Sequence, residues 1–169
     1  IDVNKIAESY VNENVKDVTS AIDGAKYIIA EWISDNASYR KYIRNNMKNN
    51  GIIRSKIKKG AIDESKTYEM YYDYEERIKF IKSHRVLAIN RGEKEDILSV
   101  SISLDNDYII SFLESKIIKD NNVESADIVK EAIRDSYKRL IIPSIEREVR
   151  SELKEVSEDG AIDIFGKNL

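Results

Sequence analysis

Cysteine does not occur in the 169 residues, and histidine occurs once, at His84. The first absence excludes disulfides, thiolate metal sites and cysteine nucleophiles together, and it suits a reducing compartment. The second excludes a multi-histidine metal cage or a two-histidine proton relay. A Ser-His-acid triad would have to use His84, yet no Gly-x-Ser-x-Gly elbow is present. Ser83 beside it reads as a helix N-cap, and His84 itself as a packed or capping side chain. Neither Gly-x-x-x-x-Gly-Lys-Ser/Thr nor Gly-x-Gly-x-x-Gly appears, so no glycine-rich loop is available to cradle a phosphate. These absences predict a chain without catalysis, cofactor, metal or small-molecule substrate. No apolar run approaches the roughly 20 residues that span a bilayer. The opening Ile1-Asp2-Val3-Asn4-Lys5 lacks Met, a basic segment and an apolar segment. It therefore reads as the interior of a longer cytoplasmic protein rather than as a signal peptide.

Proline is also scarce, with Pro143 alone, and glycine is limited to six positions. Few places then force the backbone to break, and a mainly α fold follows: an irregular multi-helix assembly, read as a single helical domain over 1–169. From Thr19 the set Ile22, Ala25, Ile28, Ile29, Trp32 and Ile33 repeats at three-to-four spacing, which predicts one core-facing helix stripe. Further helices are expected over 35–49, around Ile110, Leu113 and Ile117, and through Ala126, Val129, Ile133, Tyr137 and Leu140, the last capped by Ser125. Pro143 fits the first turn of a long C-terminal helix, where its missing N–H costs nothing. Ile145, Val149, Leu153 and Val156 carry that helix onward, towards weak points at Gly160 and Gly166. Two stretches alternate instead: Ile53, Ser55 and Ile57 in 51–58, and Leu98, Val100, Ile102 and Leu104 in 98–104. They predict a small two-stranded antiparallel sheet.

Carboxylates are plentiful, in Glu75-Glu76, in Glu93, Glu95 and Asp96, and in Glu152, Glu155 and Glu158. Interspersed with Lys and Arg on helices, they read as a solvated face rather than a Mg²⁺ site. The basic residues are less evenly spread. Overall charge is −3, yet 36–62 carries Arg40, Lys41, Arg44, Lys48, Arg54, Lys56, Lys58 and Lys59 without one acid. With Tyr39 and Tyr42 nearby, such a run can attract a phosphate backbone and stack bases. The alternative is a basic surface that docks on an acidic neighbour. Arg85 and Arg91 are further candidates for phosphate contact. Against that stands a structural tie from either one to the C-terminal helix through Glu146 or Glu148. The Tyr71, Tyr72, Tyr74 cluster likewise suits packing better than base stacking.

Tyr68-Glu69-Met70-Tyr71-Tyr72-Asp73-Tyr74-Glu75-Glu76, followed by Ser83-His84-Arg85-Val86-Leu87-Ala88-Ile89 and Arg91-Gly92-Glu93-Lys94-Glu95, resembles the Tex family of bacterial transcription-accessory proteins. Ile22-Asp23-Gly24-Ala25, the run from Pro143 to Leu153, and Ala161-Ile162-Asp163-Ile164-Phe165 are similar to the same family in the same order. Lys82 and Arg77 stand where the family often has Pro, Asn90 where it has an apolar residue, and Gly160 and Gly166 where it has helix formers. The resemblance implies the middle of a multidomain cytoplasmic protein related to a eukaryotic elongation factor and histone chaperone. It also implies an upstream helix-turn-helix-like region and downstream YqgF-like, helix-hairpin-helix and S1 domains. RNA or DNA, bound mainly through those other domains, and the transcription machinery are the partners implied. It carries over no catalytic residue.

Overall fold

The computed structural model describes Val3, residues 18–119 and residues 123–160. It is mainly α with one small sheet. The expected features at Gly166 and at Ala161-Ile162-Asp163-Ile164-Phe165 lie outside the described residues. Two compact units are formed, the first from the described parts of Ile1–Ile43 and Asn106–Ser144, the second from those of Arg44–Asp105 and Ile145–Leu169.

The first unit is helical. Helix α1 (Val18–Asp35) buries Ala21, Ala25, Ile29, Ala30 and Ile33. The small side chains at the i, i+4 pair Ala21 and Ala25 leave room for a neighbouring backbone. Trp32, expected on the core stripe, is instead 56% exposed. Asn36 separates α1 from α2 (Ala37–Asn50), and its side-chain oxygen accepts the Tyr39 N–H at 3.0 Å, the N-cap contact that starts the second helix. Helix α4 (Asn106–Ile117) contributes Ile109, Ile110 and Leu113. Helix α5 runs from Val123 to Asp135, so it begins before Ser125, which lies inside it rather than at the cap. Val129, Ala132 and Ile133 of α5 are buried, and α5 packs on α1.

Beyond α5 the chain stays helical but widens into a π turn over Ser136–Ile141, whose Tyr137 carbonyl accepts the Ile142 N–H five residues on. Helix α6 (Ile142–Glu158) follows directly. Pro143 therefore sits near the start of a helix, as its spacing predicts, but not after a break. The widened turn offers a place for the residue that lacks an N–H and crowds the carbonyl four positions back. Buried Ser136 satisfies its hydroxyl on the Ala30 carbonyl at 2.6 Å, and the Tyr137 hydroxyl donates to Asn106 Oδ1 at 2.7 Å.

In the second unit a three-stranded antiparallel sheet has the order β2-β1-β3, with β1 at Ile52–Ile57, β2 at Asp73–Arg77 and β3 at Leu98–Ser103. The register sets Ile53 opposite Ile102, Ser55 opposite Val100 and Ile57 opposite Leu98, so the two alternating runs share one face as expected. The third strand, β2, is the correction to a two-stranded sheet. Its Asp-Tyr-Glu-Glu-Arg sequence gives no apolar alternation, because it forms an edge on which Asp73, Glu75 and Arg77 face water. Buried Ser55 donates to the Tyr71 carbonyl at 2.8 Å, which makes a hydroxyl tolerable on the apolar face.

Helix α3 (Ser83–Lys94) packs on β3. Lys82 takes the N-cap position and Ser83 is the first helical residue, one place from the expected cap, while His84 is exposed rather than packed. A Cβ on Gly92 would lie 2.5 Å from Leu98 Cδ1 and 3.1 Å from the Tyr68 ring. Only glycine permits this approach of α3 to the sheet. Ile145, Val149 and Leu153 form the buried stripe of α6, and burial of each such side chain stabilises by about 1.5–3 kcal/mol. The helix stops at Glu158, and Gly160 at φ 78° turns the chain out of it, as a C-terminal glycine does. Among the described residues no helix is long and apolar enough to cross a membrane.

Candidate nucleic-acid interface

The basic run begins in the first unit. Arg40 reaches the Ser34 carbonyl at 3.2 Å and Ser144 Oγ at 2.6 Å, so its fork is spent on backbone and hydroxyl oxygens. Lys41, next along α2, is exposed and makes no ion pair among the described residues. The aromatics are partly committed as well. Tyr42 stacks on Phe112 with ring centroids 3.6 Å apart and planes 12° from parallel, which removes one face from any base.

In the second unit the later turns of α2 carry Arg44 and Lys48 at i, i+4. They meet Glu148 and Glu152, an i, i+4 pair on α6: Arg44 Nε lies 2.9 Å from Glu148 and Lys48 Nζ 2.5 Å from Glu152. Two carboxylates that would repel each other along one helix are thus neutralised by two cations from another. Arg54 and Lys56 point from β1 to the exposed face of the sheet. Arg54 stands opposite Glu75 and pairs with it at 3.3 Å, and Lys56 stands opposite Asp73 in the register. Lys58 pairs with Asp96. Lys56 and Lys59 are exposed and form no ion pair among the described residues. The acid-free run is acid-free in sequence only, because β2, α6 and the turn after α3 supply its counter-charges.

Arg85 and Arg91 diverge. Arg85 binds the Tyr74 hydroxyl at 2.9 Å and Glu76 at 3.2 Å, which ties α3 to β2 rather than to α6. Tyr74 and Glu76 hold the guanidinium more firmly protonated than usual. The arginine that does join α3 and α6 is Arg150, which grips Glu93 at 2.7 Å and 3.2 Å and Asn90 at 2.9 Å. Glu146, expected as an arginine partner, accepts the Ile102 N–H at 2.9 Å and so occupies the edge of β3. Arg91 is exposed and makes no ion pair among the described residues. Of the eight candidate cations in the second unit, Arg44, Lys48, Arg54, Lys58 and Arg85 are paired with carboxylates of that unit.

The tyrosine cluster is a set of clamps. Tyr71 and Tyr74 pack edge to face at 5.3 Å. Asp63 accepts the Thr67 and Tyr68 N–H groups at 3.1 Å and 2.9 Å and the Tyr72 hydroxyl at 2.7 Å. The Tyr68 N–H is the main cause holding the Asp63 carboxyl below its ordinary range. Tyr68 donates to Glu95 at 2.5 Å, and burial together with that bond pushes its phenol up to about 12. Tyr72 is pushed to about 12 by its bond to Asp63, and Tyr74 to about 12 by burial and its bond to Glu76. Asp63 gives no signal in the sequence beyond the Asp-x-x-x-Thr spacing of a side-chain-closed turn. Among the described residues no group of three or more His, Cys, Asp or Glu side chains could hold a metal ion.

The Tex central region-like family model matches residues 1–165. The protein YdcI of Bacillus subtilis (strain 168) is 51% identical over 166 residues, which is 96% of this chain and 23% of that protein. The transcriptional accessory protein Tex of Neisseria gonorrhoeae is 29% identical, over 99% of this chain and 23% of its own length. The human S1 RNA-binding domain-containing protein 1 is 28% identical, over 95% of this chain and 18% of its own. The chain thus spans about a quarter or less of the length of these relatives. Matched along nearly all of its length, it belongs to the Tex central region-like family.

Proposed function

We propose that the chain is the non-catalytic framework of a cytoplasmic transcription accessory protein. In this role it fixes the positions of flanking domains that bind RNA or DNA. The names of its relatives, a transcriptional accessory protein and an S1 RNA-binding domain protein, support the setting. The observation that carries the role is the commitment of Arg44, Lys48, Arg54 and Lys58 to carboxylates of the same chain. Cations held in this way are partly neutralised towards phosphate, while each such exposed pair adds only about 0–1 kcal/mol of stability.

A second reading rests on Lys56 and Lys59 of the second unit, which stay exposed and make no ion pair among the described residues. They suit weak contact with a nucleic-acid backbone passing over the framework.

Salt dependence separates the readings, because each duplex phosphate neutralised contributes roughly 0.9 to the slope of log affinity against log salt. The framework reading expects no measurable binding of the 169-residue chain to single- or double-stranded RNA or DNA at moderate salt. Contact through the two lysines expects a slope of at most about 1.8. A slope near 7, as eight contacts would give, would sink both.

A further inference from the structure

Trp32 is the one tryptophan of the chain and occupies a position of the α1 apolar repeat, yet it is 56% exposed. Among the described residues the exposed indole adds nothing to the core of the first unit, which Ile29, Ala30 and Ile33 beside it close. Its ring forms one wall of an open groove of about 320 Å³. Ile33 and Ile117 contribute aliphatic surface, Tyr39 a half-buried ring, and Lys116 and Lys119 the only charges among the described residues.

The charges of the groove are all of one sign. Lys116 and Lys119 are exposed and form no ion pair among the described residues. Among the described residues no carboxylate lines the groove, Glu31 and Asp35 of α1 not being part of it. Asn36 spends its side-chain oxygen on the Tyr39 N–H. Its amide nitrogen, which can only donate, makes no hydrogen bond among the described residues. An apolar floor with two cations and a free donor at its rim is complementary to a ligand with a bulky apolar group flanked by carboxylates and a backbone carbonyl. A nucleobase fits less well. It would find the Trp32 indole to stack on, but the aliphatic Ile33 and Ile117 and a single side-chain amide leave its polar edge without partners. The volume lies at the small end of ligand sites, which run from about 300 Å³, so it suits one anchoring side chain rather than a folded domain.

We propose that the Trp32 groove docks a short acidic peptide segment of a partner protein, with one aromatic or leucine anchor against Trp32, Ile33 and Ile117 and carboxylates on Lys116 and Lys119. Trp32 itself is the reporter. The 169-residue chain would be titrated with a fluorescein-labelled peptide of Asp and Glu carrying one Phe and one Leu. The same peptide with Ser at both apolar positions and an oligodeoxythymidylate would be run alongside. The expected result is a saturable change in Trp32 emission with the first peptide only, weakened by salt. Lys116→Glu with Lys119→Glu raises Kd by about tenfold or more. Trp32→Ala, followed through the label, raises it by roughly thirtyfold. Lys116→Gln with Lys119→Gln, which adds no repulsion, gives a smaller rise in the same direction, and circular dichroism checks that each variant is folded. Three outcomes would overturn the proposal: no saturable change, equal binding by folded variants, or displacement of the peptide by the oligonucleotide.

Discussion

The two compact units are stabilised by different means. In the first, Ala21, Ala25, Ile29 and Ile33 of α1 meet an apolar stripe from α5 and the π turn, and the polar contacts among the described residues include the Ser136 hydroxyl on the Ala30 carbonyl, the Tyr137 hydroxyl on Asn106 and the ion pair of Lys26 with Glu131. In the second, a three-stranded sheet with a charged edge is held by carboxylates that reach across elements: Asp63, Glu76, Glu93, Glu95, Glu146 and Glu148 each have a named partner. Shape and apolar area govern the first unit, and charge state governs much of the second. Cavities should therefore be felt most in the first, and pH and salt in the second.

The largest effect is expected from a cavity in the helical unit. Ile133→Ala removes a side chain with no exposure and should destabilise by about 2–5 kcal/mol in denaturant titration, with little change on adding salt. In the sheet unit Gly92→Ala should cost about 1–3 kcal/mol, since its methyl would press on Leu98. If that substitution proved neutral, the close approach of α3 to β3 would not be the constraint it is taken to be.

Alkaline pH should act on the second unit selectively. Tyr68, Tyr72 and Tyr74 have phenols raised to about 12 from an ordinary 10.0. A raised value means that the fold favours the protonated form. Stability from this source is fully present below pH 10.0 and is lost as pH rises through about 12. Phenolate absorbance should show these tyrosines ionising last, together with loss of near-ultraviolet circular dichroism. Asp63→Asn should let Tyr72 ionise earlier, because the bond to the Asp63 carboxylate is its main restraint. Simultaneous ionisation of every tyrosine in the folded chain would remove the clamps from the account.

Much of this fold is legible in the sequence because apolar spacing reports directly on a buried face. The helices of α1, α4 and α6 and the pairing of β1 with β3 are of that kind. Strand β2 is not, since an edge strand with alternate charges has no apolar period to detect. Trp32 shows the opposite failure: periodicity places it on a stripe but does not say where the stripe's burial ends. The basic run is misleading for a third reason. Its counter-charges are distant in the chain, 38 positions for Lys58 and Asp96 and 104 for Arg44 and Glu148, so a local count of charge finds eight cations and none of their partners.

The smallest expected effect bears most directly on the central claim, that the basic run serves the framework rather than a phosphate backbone. In a charge-swap cycle, Arg44→Glu alone should lower stability by roughly 0.5–1 kcal/mol, as partly exposed ion pairs do, through repulsion between the new carboxylate and Glu148. Adding Glu148→Arg should restore most of that loss, while neither variant changes whatever affinity the chain has for RNA or DNA. If Arg44→Glu left stability untouched but weakened nucleic-acid binding, and Glu148→Arg did not repair it, the pairing would be incidental and the basic run would be a binding surface.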